Sequence, residues 1–191
     1  IKRAITIDQI IRETANFNLT GSNIKIVMEK PEALWQISAD KGQISQVISN
    51  LVINARQAMP EGGSLKIILE NAALSENDFT SLKLDQYVKI SLSDEGTGIS
   101  EKHLDKIFDP YFTTKQDGSG LGLAIVHSII IKHNGYIYVN SQLEKGTTFV
   151  IYLPAVDVDD TEKEDIENLS TTTIGNRSIK ILLMDDDPLV R

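Results

Sequence analysis

Gln46-Val47-Ile48-Ser49-Asn50-Leu51-Val52-Ile53-Asn54-Ala55-Arg56-Gln57-Ala58-Met59 is the stretch that decides how this chain reads. As a helix beginning after Asp40, its Ile44, Val47, Ile48, Leu51, Val52 and Ala55 recur at three-and-four spacing and make one buried stripe. Asn50 and Asn54 are four apart, so their amides stand one turn apart near the edge of that stripe. Asn is a middling helix former, and two of them beside a core face need a reason. Hydrogen bonds to neighbouring backbone would be one. Three segments downstream, 94–99, 108–115 and 118–123, offer another, because they have the composition of a nucleotide site.

The 191 residues with 41% hydrophobic content suit one globular domain with shorter pieces attached. There are no cysteines, which excludes disulfides, thiolate nucleophiles and Cys-ligated metal sites, so the chemistry must come from oxygen and nitrogen groups. Neither a signal peptide nor a bilayer-length apolar run is present, and a cytoplasmic location is expected, with any membrane anchor belonging to a longer parent. The net charge of -8 argues against nucleic-acid binding. Asp157 to Glu167 alone carries seven acidic residues and one Lys, a local charge of -6, and residues 1–156 are left near -2. The acidity therefore belongs to an expected linker.

Working outward, Ile5, Ile7, Ile10 and Ile11 read as the last turns of a helix begun upstream, and the chain as a piece of a longer protein. Ile24 to Met28 and Leu34 to Ser38 read as short strands on either side of Pro31, with Trp35 a core residue. Asp40 suits an N-cap, and Gln43 three residues on suits the returning bond of a capping box. Pro60, Gly62 and Gly63 end the central helix. Ser64 to Glu70 and Tyr87 to Ser93 alternate as strands, joined through the polar stretch 73–85.

The second of these strands runs into Asp94-Glu95-Gly96-Thr97-Gly98-Ile99. Its glycines allow backbone to approach a flat ligand, and a carboxylate at a strand end accepts from an exocyclic amine, although a plain turn would look the same. Ser100 and Glu101 open a short helix. Phe108-Asp109-Pro110-Tyr111-Phe112-Thr113-Thr114-Lys115 follows without strand or long-helix period. It reads as a lid loop anchored by Phe108 and Phe112, with Thr113, Thr114 and Lys115 as phosphate-facing donors. Gly118-Ser119-Gly120-Leu121-Gly122-Leu123 opens a helix whose N-terminal N–H groups and dipole suit an anion. It is neither a P-loop nor a dinucleotide-binding turn. His103, His127 and His133 have no metal-ligand spacing and read as surface or packing residues. Gly135 stops the helix, and Tyr136 to Ser141 pairs with Thr147 to Leu153 across Glu144-Lys145-Gly146.

From about Gly21 to Pro154 these residues together resemble the ATP-binding catalytic domain of sensor histidine kinases. The wider group includes type II topoisomerase, mismatch-repair and Hsp90-type ATPases. Asn50 to Asn54 matches the family's N box, Asp94 to Ile99 its first glycine box, and Phe108 to Lys115 its phenylalanine box. Gly118 to Leu123 matches the second glycine box and Gly146 to Phe149 the last. The resemblance implies an α+β fold, a two-layer α/β sandwich of the Bergerat ATP-binding type, in which a mixed sheet carries helices on one face and an ATP lid.

It further implies that Asp94 accepts the adenine amino group, with Gly96, Gly98, Ile99 and Thr148 around the base. Asn54 would hold Mg²⁺ and Asn50 would assist near the phosphates. Phe112, Thr113, Thr114, Lys115 and the run Gly118, Ser119, Gly120, Leu121, Gly122 and Leu123 would cradle the triphosphate. Where many relatives place a basic residue, this chain has Gln57 beside Arg56, and either could meet phosphate. The ATPase branch has a general-base Glu at the position of Asn50, which cannot take a proton, so slow hydrolysis is expected. ATP would instead donate its γ-phosphate to a histidine on a preceding dimerisation segment, leaving ADP, and the parent would be a homodimer. An ATPase or ATP-driven clamp of the same fold is the alternative.

Ile179 to Arg191 resembles the first strand of a response-regulator receiver domain, with Asp185 and Asp186 matching its acidic pair. The expected organisation is thus the end of a dimerisation helix at 1–20, the catalytic domain at 21–154, an acidic linker at 155–177 and a truncated receiver start at 178–191, from a hybrid histidine kinase.

Overall fold

Helix α2 (Lys41–Ala58) forms where its apolar period places it, and Ile44, Val47, Ile48, Leu51, Val52 and Ala55 are all buried. The computed structural model describes residues 2–73, 86–115 and 118–156, within a unit that ends near residue 158. The connection 74–85, nearly all of the expected linker and the receiver-like strand lie outside the described residues. Ala155 and Val156, expected to begin the linker, instead extend the last strand.

Strands β1 (Arg3–Ile5), β2 (Ile24–Glu29), β3 (Gln36–Ala39), β4 (Gly63–Ala73), β5 (Gln86–Asp94), β6 (Tyr136–Gln142) and β7 (Gly146–Val156) form one sheet. Its order is β1-β3-β7-β5-β4-β2, with β6 also on β7. Among the described residues only β2 and β4 pair in parallel, so the sheet is mixed as expected. Period-two alternation sends Leu65, Ile67 and Leu69 of β4, Val88, Ile90 and Leu92 of β5, and Phe149, Ile151 and Leu153 of β7 into the core. They share that core with α1 (Ile7–Leu19), α2 and α4 (Gly122–Lys132). On the other face Tyr87, Val150 and Tyr152 cluster with Tyr136 and Tyr138. No described helix is long and apolar enough to cross a membrane.

The N-terminal segment departs from its expected form. Residues 3–5 are a strand paired with β3, Thr6 is the N-cap, and α1 starts at Ile7 rather than upstream. Its buried Ile7, Ile10, Ile11, Ala15 and Leu19 join the core, so this segment belongs to the sandwich itself.

Asp40 caps α2 as expected, accepting from the Gln43 N–H at 3.1 Å. The reciprocal half of the capping box is absent. The Asp40 N–H donates to Nε2 of His133 at 3.2 Å, and the opposite ring nitrogen of His133 contacts the Ile129 carbonyl at 2.8 Å. His133 is only 3% exposed, and its ring ties the end of α4 to the start of α2. Asn134, at φ 56°, makes the left-handed exit from α4. Gly135 is needed for a different reason, since a Cβ there would stand 2.5 Å from the Tyr152 carbonyl oxygen.

Ile48 is 1% exposed in the middle of the α2 stripe. Ile48→Ala should cost about 2–5 kcal/mol in urea unfolding monitored by circular dichroism, whereas a substitution at exposed Gln46's neighbour Ser45 should cost far less.

Candidate functional site

The edge of the α2 stripe faces a cavity of about 580 Å³ between α2, the end of β5, α4 and the loop that precedes α4. That volume is in the range of small-molecule sites. Asn50, Asn54 and Gln57 line it from α2, Asp94 and Thr147 from adjacent strands, and Thr113, Thr114, Lys115, Gly118, Ser119, Gly120, Gly122 and Leu123 from the loop and the start of α4. Gly98, Ile99 and Phe112 complete the predicted residues that reach it.

At one end, Asp94 Oδ1 accepts from the backbone N–H groups of Gly96 at 2.9 Å and Thr147 at 3.3 Å. These bonds fix the carboxylate and leave Oδ2 for the cavity. Burial pushes the Asp94 pKa up, against the opposing effect of those two hydrogen bonds and of Lys115. The loop after Asp94 is clamped in place. Thr97 N–H donates to the Ala58 carbonyl at 3.1 Å, Glu144 N–H to the Thr97 carbonyl at 2.8 Å, and Ile99 N–H to Ser141 Oγ at 2.8 Å. Gly98, at φ +67°, has room for no side chain, since a Cβ would lie 2.1 Å from the Gln142 carbonyl oxygen.

At the other end, Lys115 Nζ donates to Asn54 Oδ1 at 3.2 Å and to Gln57 Oε1 at 2.5 Å. Lys115 is exposed as a residue, but desolvation pulls its pKa down while Asp94 works the other way. Its backbone N–H is held by Thr113 Oγ1 at 3.1 Å. Asn50 Nδ2 donates to the Gly122 carbonyl at 3.2 Å and so ties α2 to the first residue of α4. The first bond within α4 runs from Ile125 N–H to the Leu121 carbonyl. The N–H groups of Gly122, Leu123 and Ala124 therefore have no partner inside the helix, and the positive end of the dipole is turned to the cavity wall.

Four predicted residues are not brought into the cavity. Arg56 instead donates to the Asn18 carbonyl at the end of α1, at 2.9 Å, so of the adjacent pair it is Gln57 that faces the site. Thr148 lies on the opposite side of the sheet, its Oγ1 2.9 Å from Ser93 Oγ, because Thr147 and Phe149 take the inward positions of β7. Gly96 serves packing, with a Cβ there 2.6 Å from Ala58 Cβ, and Leu121 is the N-cap position of α4.

Sequence reasoning missed Ile53, Ala58, Thr97, His103, Ile107, Thr147 and Phe149, all of which line the cavity. Thr147 was readable from strand alternation with Phe149 and Ile151, and Ile53 from its place between Asn50 and Asn54. His103 comes in only through the fold, with its ring 5.5 Å from that of Phe112.

Residues 39–157 match the family described as histidine kinase-, DNA gyrase B- and HSP90-like ATPase. The chain belongs to that family. It is 40% identical over 184 residues to the sensor kinase CckA of Brucella abortus, covering 91% of this chain and 19% of that protein. To the sensor histidine kinase ZraS of Escherichia coli it is 38% identical over 146 residues, covering 76% of this chain and 28% of ZraS. The chain thus spans well under half the length of either relative. Among solved structures, the catalytic domain of histidine kinase ThkA, in a nucleotide-free form, is 31% identical with a TM-score of 0.66, over 81% of this chain and 96% of that one. The mycobacterial sensor histidine kinase MprB, at 23% identity, has the same fold with a TM-score of 0.69, over 81% of this chain and 98% of that one. The two-layer sandwich described above is the fold of these histidine kinase structures.

Charging Asp94 in its partly buried position opposes folding. Its raised pKa means that this cost is present above the folded-state value and vanishes below the ordinary carboxylate range. Asp94→Asn should therefore raise the melting temperature of the ligand-free protein at pH 7, and the gain should disappear as the pH falls through about 4, as read by thermal unfolding at several pH values.

Proposed function

We propose that this domain is the ATP-binding catalytic part of a sensor histidine kinase, which binds Mg²⁺-ATP and donates the γ-phosphate to a histidine on a separate dimerisation segment of its parent. The observation that carries the proposal is the polarity of the cavity. A fixed carboxylate stands at one end, and a lysine, two amide oxygens and a helix N-terminus stand at the other. Adenine offers an exocyclic amine for Asp94 Oδ2, and a triphosphate is the anion that the opposite end suits.

A divalent cation fits the residues present. Asn54 Oδ1 is an oxygen donor already in contact with a cationic group, the Lys115 ammonium. Among the described residues no cluster of three or more His, Cys, Asp or Glu side chains could cage a metal, so a cation here would rely on Asn54, water and the substrate phosphates, the habit of Mg²⁺. When bound, Mg²⁺ would supply charge neutralisation between phosphate oxygens. Asn54 would hold it, Lys115 would neutralise the outer phosphates, and the α4 N–H groups would bind the oxygens nearest the helix.

In the transfer, a ring nitrogen of the acceptor histidine forms the new bond to phosphorus while the bond to the ADP oxygen breaks, and ADP leaves with that electron pair. This chain's residues position and neutralise, as phosphoryl transfer requires. Asn50 can neither take a proton from water nor swing freely, since its amide is tied to Gly122, which weighs against the ATPase clamp. The match to CckA over 91% of the chain supports a parent in which sequence beyond the catalytic domain also corresponds. We place the receiver-like strand with Asp185 and Asp186, a homodimeric parent and cytoplasmic action within the same proposal.

The test is incubation with γ-labelled ATP and Mg²⁺, with the His-bearing segment of the parent added as a separate chain. Label should pass to the added segment with little free phosphate. Asn54→Ala should reduce transfer at least about a hundredfold, and Asp94→Asn should weaken ATP binding about 10- to 100-fold in calorimetry. Rapid phosphate release without labelled protein would instead favour the ATPase reading.

A further inference from the structure

The proposed chemistry gives Gln57 no step of its own, yet its side chain makes the shorter of the two contacts to the Lys115 ammonium. Asn54 and Gln57 lie three apart on α2, so their amide oxygens stand side by side at the cavity lip. Lys115 comes from the loop before α4, and its backbone N–H is fixed by Thr113 Oγ1. Two amide oxygens hold its ammonium head. An ammonium carries donors only, and each amide oxygen is a neutral acceptor that holds it at this exposed lip of the cavity. A positive side chain at position 57 would repel Lys115, and an apolar one would leave Asn54 to hold it alone.

We propose that Gln57 is the positioning residue for Lys115, and that through it the Lys115 ammonium and a divalent cation compete for the single oxygen Asn54 Oδ1. This rests on the Mg²⁺-ATP reading above. When a cation takes Asn54, Gln57 keeps its hold on Lys115 and leaves the ammonium within the cavity, facing the triphosphate. The two events are linked thermodynamically. Loosening Lys115 from Asn54 strengthens cation binding there, and a cation at Asn54 loosens Lys115 in turn. Gln57 therefore sets both the place of the loop's one lysine and the threshold for the metal.

The test is the acylation rate of each lysine at one fixed pH, followed by peptide mass spectrometry on the folded domain. Exposed Lys102 and Lys106 serve as internal references, and circular dichroism verifies the fold of each variant. Gln57→Met should raise the rate at Lys115 about fivefold, and Gln57→Glu, which supplies a charged acceptor, should lower it by a similar factor, with Lys102 and Lys106 unchanged. Adding Mg²⁺ with a non-hydrolysable ATP analogue should protect Lys115 in the wild type and erase most of the difference between variants. Equal Lys115 rates in wild type, Gln57→Met and Gln57→Glu would overturn the assignment. The expected order without any response to the analogue would sink the nucleotide reading and leave Gln57 as the residue that holds Lys115.

Discussion

Burial of one stripe of α2 against the sheet is the constraint on which the site depends. Val47, Ile48, Leu51 and Val52 are each 2% exposed or less, so the helix cannot turn about its axis without carrying polar groups into the core. A shift of one position would rotate it by about 100° and bury an asparagine amide among Leu and Ile side chains. With rotation fixed, positions 50, 53, 54 and 57 must meet the cavity. The core thus aims the site, and each site residue depends on packing it does not itself provide.

The cavity wall is apolar between two polar ends. Ile53, Ile99, Ile107, Phe112, Leu123 and Phe149 contribute to the lining, while Asp94 stands on the sheet side and Lys115 on the loop side. Each charged group is held against the preference of its surroundings. Burial raises the Asp94 pKa and lowers that of Lys115, and each group's charge partly offsets the penalty on the other. Such opposed shifts in one cleft are characteristic of functional sites, where stability is given up for a ligand that satisfies both ends. The struts around them limit the cost. His133 to Asp40 and Asn50 to Gly122 fasten the two ends of α4 to the start and the middle of α2, so the walls of the cavity hold their separation.

Local signals in the sequence carried most of this. The α2 period and the Asp40 cap are set by neighbours a few residues away and stand where they were expected, and Gly98, Gly118, Gly120 and Gly122 of the two glycine runs line the cavity. The choice between Arg56 and Gln57 was also legible. Relative to Asn54, Arg56 lies about 200° around the helix, whereas Gln57 lies about 60° away on the other side. Thr147 could have been preferred to Thr148 by the period of two that runs through Phe149 and Ile151. What could not be read was long-range. Strand β1 exists because residues 3–5 pair with β3, and its isoleucine also fits a helical period. The His133 contact to Asp40 joins residues 93 apart.

The most direct measurement is a crystal structure of the domain with Mg²⁺ and a non-hydrolysable ATP analogue. The adenine amino group should lie within hydrogen-bonding distance of Asp94 Oδ2, the cation should take Asn54 Oδ1, and the Lys115 ammonium should have moved from Asn54 to a phosphate oxygen while still within reach of Gln57. Nucleotide bound elsewhere, or a base turned away from Asp94 with Lys115 still on Asn54, would contradict the proposed site.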